Sequence, residues 1–336
     1  MNKSIVTIAE TAWHHEGDYT FMETLVSDLI NKTKADFIKY HLTLDLDEYM
    51  DHRHPVHDTL KKWMLDADQW TELIGRTRSG SKDIMLLLND RKAIDFGMRF
   101  NPKLVEIHSV CLNDVKLLEH LSGSLHKDQK VVLGVGGSDL YEIERAMETL
   151  RHDNIILMFG FQNYPTKYHN INLHKIKKVK KLYPEYEYGY ADHTAWNDDN
   201  NMLITSLAAA SGVGYIEKHV TNIYGKKRCD WESAISIDMF NELSNSLSIL
   251  NSIGGDGALK LNSGERSYSV YGPMKKAALL NCDVKAGEVL LKEIIAFKRT
   301  EEVSNLSQIE TIDMIGRSFL VDLKKDTVLK KEHLGA

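Results

Sequence analysis

Eight short apolar runs rich in β-branched and aromatic residues alternate with amphipathic segments of helical period along the first two-thirds of the chain. The runs cover residues 4–12, 36–43, 83–88, 104–109, 130–135, 154–161, 186–191 and 214–220. Helical patterns follow at 19–34, 57–65 with 68–78, 91–100, 113–121, 138–150, 173–182, 200–211 and 236–253. Asp18, Asn113, Ser138, Asn172 and Ser236 stand where helix N-caps are expected, since a short polar side chain there accepts from the first turn's free N–H groups. Eight strand–helix units predict an α/β fold of the (β/α)8 TIM-barrel type, with a doubly wound open sheet as the rival.

Beyond residue 253 the pattern changes. Gly254, Gly255 and Gly257, then Asn262-Ser263-Gly264, read as loop or linker. Short β-like runs follow at 276–280, 288–291, 294–298 and 318–323, and the turns 285–287 and 324–326 occupy equivalent positions. The expected organisation is a barrel over 1–257, a linker over 258–272 and a small β-rich domain over 273–336. A β module of this size is near the limit for a self-sufficient core, so it is expected to pack on its own barrel or a partner's.

Composition narrows the function classes. With 42 Lys+Arg against 48 Asp+Glu, the net charge is −6, which argues against nucleic acid or an anionic membrane as a main partner. No apolar run approaches a membrane span, and the first residues lack a signal-peptide core. Cys111, Cys229 and Cys282 are widely spaced with no CxxC pair, as expected of reduced thiols in a cytoplasm.

In a barrel the residues that end the strands build the site. Here they are Glu10, Lys39, Asn89, Ser109, Gly134, Gln162, His193 and His219, with Asp230 in the loop after the eighth strand. His193 and His219 end consecutive strands joined by a crossover helix. Neighbouring parallel strands present them at one edge, where two neutral imidazoles make a seat for a divalent metal; two unrelated strand-capping histidines are the plainer reading. Lys39 is a candidate partner for Glu10, whose carboxylate is costly there alone. His14 and His15 read as a solvated turn, and Gly136-Gly137-Ser138 as a weak phosphate cradle or a plain helix start.

Several words in the sequence resemble the sialic acid synthases, which condense phosphoenolpyruvate with an N-acetylated hexose to give nonulosonic acids. They are Ile8-Ala9-Glu10 with Trp13-His14-His15-Glu16-Gly17-Asp18, Ala35-Asp36-Phe37-Ile38-Lys39, Asn163-Tyr164-Pro165-Thr166, Asp192-His193-Thr194 and Glu217-Lys218-His219. The tail, from Lys276 through Asp283-Val284-Lys285-Ala286-Gly287-Glu288 to Lys298-Arg299 and Ile315-Gly316, is similar to that family's antifreeze-like (SAF, β-clip) module. The resemblance implies a carbon–carbon bond-forming transferase of the cytoplasm, acting as a domain-swapped homodimer with manganese, or magnesium in its place. It implies His193 and His219 as metal ligands, Glu10 as catalytic carboxylate and Lys39 as the donor-contacting lysine. Asn89, Glu106, Ser109, Gln162, Asn163, Tyr164, Asp192 and Asp230 fall at substrate-binding positions, and Arg299 reaches the sugar from the partner's tail.

The chain also departs from that family. Glu106 stands where a phosphate-holding lysine is expected, Leu88-Asn89 replaces a Ser-Thr pair, and Gly134-Val135-Gly136 replaces Ser-Thr-Gly. Lysine to glutamate changes the local charge by two units and opposes a phosphate there. Arg91, Lys92 or the Gly136-Gly137-Ser138 helix start are then the remaining phosphate candidates. The alternatives are a metal-dependent aldolase or lyase on a non-phosphorylated substrate, an amine-bearing one included, and a non-catalytic sugar-binding relative.

Overall fold

A computed structural model describes residues 4–161 and 163–335. The chain divides into two compact units between Gly255 and Asp256. In the first, eight parallel strands follow one another in sequence order: β1 Val6–Glu10, β2 Phe37–Leu42, β3 Asp83–Leu88, β4 Leu104–Ile107, β5 Lys130–Gly134, β6 Ile155–Phe159, β7 Glu187–Asp192 and β8 Tyr215–Thr221. β8 pairs back onto β1, with Glu10 opposite both Lys39 and His219, and this closes the ring and rules out the open sheet. The fold is the (β/α)8 barrel that the alternating pattern predicts.

Side chains alternate between lumen and helix layer along each strand. The outward set is continuous with a large apolar core that includes Ile38, Tyr40, Val105, Ile107 and Ile216. The inward set is graded along the barrel axis. At the amino ends of the strands, Ile8, Phe37, Leu104, Ile156 and Tyr215 form an apolar floor. Two residues further along come Glu10, Lys39, Glu106 and Glu217. Two further again come His41, His108 and His219. Barrels of this kind fill their lumen in layers, and here the layers change from apolar to charged to imidazole toward the carboxyl end.

The helix starts differ in detail from expectation. Asp18 and Ser236 cap their helices, but Asp114 and Asp139 take the places read as Asn113 and Ser138. A carboxylate one residue later accepts the same amide hydrogen bonds and adds a favourable charge to the helix dipole. Asn172 sits at its N-cap position in a left-handed conformation and makes no side-chain cap bond.

Asp192 and Lys218 face the helix layer and are fully buried. The Lys218 ammonium lies 2.8 Å from Asp192 Oδ2 and 2.7 Å from Asn201 Oδ1, and Thr194 and Thr205 donate to the same carboxylate. Burial alone would raise the Asp192 pKa, but Lys218 and the two hydroxyls hold it below the ordinary value. Removing one partner leaves a buried unpaired charge, so Lys218→Met is expected to cost about 3–5 kcal/mol of stability. Chemical denaturation checks this, and a loss under about 1 kcal/mol contradicts it.

The second unit, from Asp256, carries the antiparallel pair β9 Ala277–Leu280 and β10 Ile295–Lys298 around a small core containing Ala278, Leu290, Phe319 and Leu329. The runs at 288–291 and 318–323 contribute only isolated bridges, Val289 to Ser318, Phe319 to Leu334 and Val284 to Leu323. The helix Ser263–Tyr268 lies within the stretch read as linker, and Gln308–Asp313 is a helix that periodicity did not reveal, being under two turns long. The two equivalent turns are tied reciprocally. Asp322 accepts from the Ala286 amide and the Lys285 ammonium, and Asp283 accepts from the Lys325 amide and the Lys324 ammonium.

Candidate active site

A cavity of about 230 Å³ opens at the carboxyl end of the barrel. Its lower wall is the charged layer. Lys39 Nζ lies 2.7 Å from Glu10 Oε2, 2.6 Å from Glu106 Oε2 and 2.9 Å from Glu217 Oε1. The expected Glu10–Lys39 pair is present, and two further carboxylates share it. All four side chains are almost completely buried. Burial pushes each glutamate up to about 7 against the opposing pull of Lys39. Burial also works to lower Lys39, but Glu10, Glu106 and Glu217 hold it well above the ordinary lysine range, so it stays an ammonium.

Above this layer lies a belt of rings. His41 meets His108 with centroids 6.0 Å apart, His108 meets Phe161 at 5.6 Å, Phe161 meets His193 at 5.0 Å, His193 meets His219 at 4.9 Å, and His219 meets His14 at 6.0 Å. Tyr164 packs edge-on against His193 and lies 6.3 Å from His219. Burial is the main reason that His14 and His193 are pulled down to about 4 and His108 to about 3, and that His41 and His219 lie well below the ordinary value. These imidazoles are therefore neutral near pH 7.

Neutral imidazoles with unused nitrogens are metal ligands in waiting. Neither nitrogen of His14 has a hydrogen-bond partner, and His219 Nδ1 has none. His193 donates its Nδ1–H to the Ala191 carbonyl at 2.9 Å, which leaves the Nε2 lone pair free and fixes the ring. One ligand atom each from His14, His219 and Asp230 lie within 4.8 Å of one another. This donor set of imidazole nitrogens and a carboxylate oxygen suits a divalent transition metal.

The other sequence-derived residues divide clearly. Glu10, Lys39, Asn89, Glu106, Ser109, Tyr164, His193, His219 and Asp230 are all brought to the cavity. Asn89 also donates to Thr43 Oγ1 at 2.9 Å. Asn163 has a buried, unpartnered Oδ1. Asp192 points the other way, into its pair with Lys218, because residues 191 to 193 alternate across the strand and only its neighbours face the lumen. Gln162 lies outside the described residues. Arg299 belongs to the second unit, where its guanidinium donates to the Pro273 carbonyl.

Three expectations are corrected. His14 and His15 do not form a solvated turn; they are 1% and 0% exposed, packed against His219 and Trp70 respectively. Gly136-Gly137-Ser138 is no phosphate cradle, since Asp139 and Glu142 close a capping box on the helix Leu140–Leu150 and put carboxylates where an anion would sit. Arg91 and Lys92 pair with Glu48 and Asp45 and do not line the cavity. The glycines at the end of β5 and just after it have a packing reason instead. A Cβ on Gly134 would stand 2.7 Å from the Ser109 amide, and one on Gly136 would collide with the Phe161 carbonyl.

His41 and His108 stand one pleat beyond Lys39 and Glu106, so strand-end position alone does not mark them. Their signal is the repeated spacing of a charged residue two before a histidine: Lys39-Tyr40-His41, Glu106-Ile107-His108 and Glu217-Lys218-His219. Period two stacks each such pair on one face.

The buried titratable groups set a pH dependence with opposing signs. An unfolded imidazole titrates near 6.5. His14, His15 and His193 hold pKa values near 4 when folded, so the stability they contribute is full above 6.5 and is lost as pH falls toward 4. The three glutamates are raised, so their contribution is present below about 4.5 and is lost as pH rises through 7. Asp90 and Asp230 are raised by burial as well, and six lowered imidazoles still outnumber five raised carboxyls. The melting temperature of the metal-free protein is therefore expected to fall between pH 6.5 and 4.5. Calorimetry checks this, and a flat or rising Tm on acidification contradicts it.

Residues 23–258 match the NeuB family, about 70% of the chain. The chain belongs to the NeuB family. This NeuB-family protein is 22% identical over 349 residues to the N,N'-diacetyllegionaminic acid synthase of Campylobacter jejuni, covering 98% of this chain and 100% of that one. It is 27% identical over 297 residues to an uncharacterized protein of Methanocaldococcus jannaschii, with 87% and 84% covered. Among solved structures, the N-acetylneuraminic acid synthetase of Leptospira borgpetersenii superposes with a TM-score of 0.72 at 23% identity, covering 79% of this chain and 90% of that one. No described helix is long and apolar enough to cross a membrane.

Proposed function

We propose that this protein uses a divalent metal to join a three-carbon donor to the open-chain aldehyde of an N-acylated hexose, giving a nonulosonic acid. The observation that carries the reading is the layered lumen: neutral, unpartnered imidazoles stand directly above a lysine–carboxylate cluster at the closed barrel's mouth. His193 and His219, with His14 and Asp230, are the residues that would hold the metal. Bound there, a divalent ion supplies Lewis acidity toward an aldehyde oxygen. Glu10 has one oxygen fixed by the Ala12 amide at 2.8 Å and the other by Lys39, so it is a pre-set proton carrier beside the metal ligands. Tyr164 and Asn163 offer buried polar atoms without protein partners, as a site for sugar hydroxyls and an N-acyl group requires.

We also propose a homodimer in which the C-terminal unit of one chain docks on its partner, with Arg299 serving the partner's sugar. Support comes from exposed apolar side chains in that unit, among them Tyr268, Met274, Ile309, Leu320 and Val321. Sedimentation equilibrium is expected to give twice the chain mass; a monomer at micromolar concentration contradicts this.

The condensation itself is tested by incubating the manganese-loaded protein with N-acetylated hexosamines and either phosphoenolpyruvate or pyruvate, then seeking the nine-carbon acid by mass spectrometry. A product with either donor, absent from Glu10→Gln, is the expected result. Its absence with both donors across the sugars overturns the reading.

A further inference from the structure

We propose that the donor is an unphosphorylated, enolisable 2-oxo acid of the pyruvate type, added to the aldehyde as its enolate. This rests on the condensing-enzyme reading above and narrows it.

The first ground is the charge of the cavity wall. Among the described residues that line it, Lys39 is the sole lysine or arginine, against Glu10, Glu106, Glu217 and Asp230. An ammonium has three N–H donors. Lys39 has three carboxylate neighbours at 2.6–2.9 Å, so each donor already faces an anion. A phosphate ester carries close to two negative charges at neutral pH and needs several donors.

The second ground is that, among the described residues, no second cation backs the neutral donors of Asn89, Ser109 and Tyr164 in the cavity wall. Arg91 and Lys92 are committed to Glu48 and Asp45, away from the cavity. Lys175 donates to the Ser138 carbonyl. At the end of β5 there is neither a hydroxyl nor room for one, because Gly134 and Gly136 are pressed against the backbone of Ser109 and Phe161. The adjacent helix start is capped by its own Asp139 and Glu142. A phosphate leaving group has no seat among these groups.

A phosphoenol ester brings its nucleophilic carbon ready-made; an unphosphorylated donor must be enolised in place. Lys39 stays protonated, so it cannot form a Schiff base. Enolisation then falls to a carboxylate. Glu106 lines the cavity and, among the described residues, is engaged only through Oε2 with Lys39, whereas Glu10 has both oxygens engaged. In the step, a C–H bond beside the 2-oxo carbon breaks and its proton passes to Glu106. The electron pair released forms the new bond to the aldehyde carbon, and the aldehyde oxygen takes up a proton to become a hydroxyl. No leaving group departs and nothing is oxidised or reduced overall.

The half-reaction can be read without knowing the sugar. Pyruvate is incubated in D2O with the manganese-loaded full chain, and loss of its methyl signal is followed by proton NMR. Exchange at least ~100-fold faster than with the isosteric Glu106→Gln protein is expected, the scale of a lost general base. Calorimetry is expected to show no phosphoenolpyruvate binding to the parent protein at millimolar concentration and measurable binding to Glu106→Lys. Absent pyruvate exchange overturns the proposal, and so does phosphoenolpyruvate binding to the parent as tightly as to Glu106→Lys. Condensation with phosphoenolpyruvate accompanied by phosphate release would sink this inference while leaving the condensing-enzyme reading intact. Loss of that reading would show instead as no carbon–carbon product from either donor.

Discussion

A Lys39→Met protein is expected to be less stable than its parent by about 3–5 kcal/mol at pH 8, the usual cost of stripping one partner from a buried ion cluster. For a domain of this size that lowers Tm by on the order of 10 °C. The reason is local. Glu10, Glu106 and Glu217 converge on one ammonium with almost no solvent access, and methionine leaves three carboxyl groups facing each other in an apolar ring. They can escape only by taking up protons, which is cheap in acid and costly in base. The parent's glutamates already sit near 7, and loss of the cation raises them further. The folded variant then binds more protons than its unfolded chain over a wider range above 4.5, so its stability falls as pH rises. The destabilisation relative to the parent should therefore be small at pH 5 and large at pH 8. Melts at the two pH values decide the matter; an equal loss at both would mean that lost packing, not uncompensated charge, dominates.

Removing the imidazole of His219 is expected to weaken manganese binding by at least ~100-fold and to abolish turnover, since even outer partners of metal ligands are worth about 10–100-fold. His14→Ala is expected to lose about 10–100-fold, because the His14 ring is buried against His219 with both nitrogens unpartnered. His120, which is bound to Asp95 on the surface, provides a matched control that should leave affinity unchanged. Titration calorimetry with manganese reads all three. Undiminished affinity in His219→Ala would remove the metal from this position. Undiminished affinity in His14→Ala alone would leave it to His193, His219 and Asp230.

The architecture was open to inspection in the chain because eight units repeat one alternation, and a closed ring is the way for eight such units to leave no unpaired edge. Two charged residues at the strand ends were visible for the same reason: Glu10 and Lys39 interrupt apolar runs at positions where burial is certain and a partner obligatory, whereas Glu217 sits two residues before His219 and gave no such sign. His193 and His219 stood out through their place after consecutive strands. His14 and His15 did not, because a loop has no period and nothing in the local sequence says that Trp70 and His219 will cover it. Asp192 was misplaced for the converse reason. It lies beside a lumen residue in sequence, and at a period of two its side chain must face the helices. The helix starts at Asp114 and Asp139 differ by one residue from the readings at Asn113 and Ser138, within the reach of two adjacent residues that can both cap.

The apolar floor of Ile8, Phe37, Leu104, Ile156 and Tyr215 has a kinetic corollary. Among the described residues it closes the lumen beneath the charged layer, so the cavity is entered from the carboxyl end. Whatever rests on the lysine and its glutamates arrives before the molecule that fills the space among the imidazoles, and it is trapped until that second guest has gone. Steady-state kinetics should accordingly be compulsory-order, with an unreactive sugar analogue acting as an uncompetitive inhibitor against the donor.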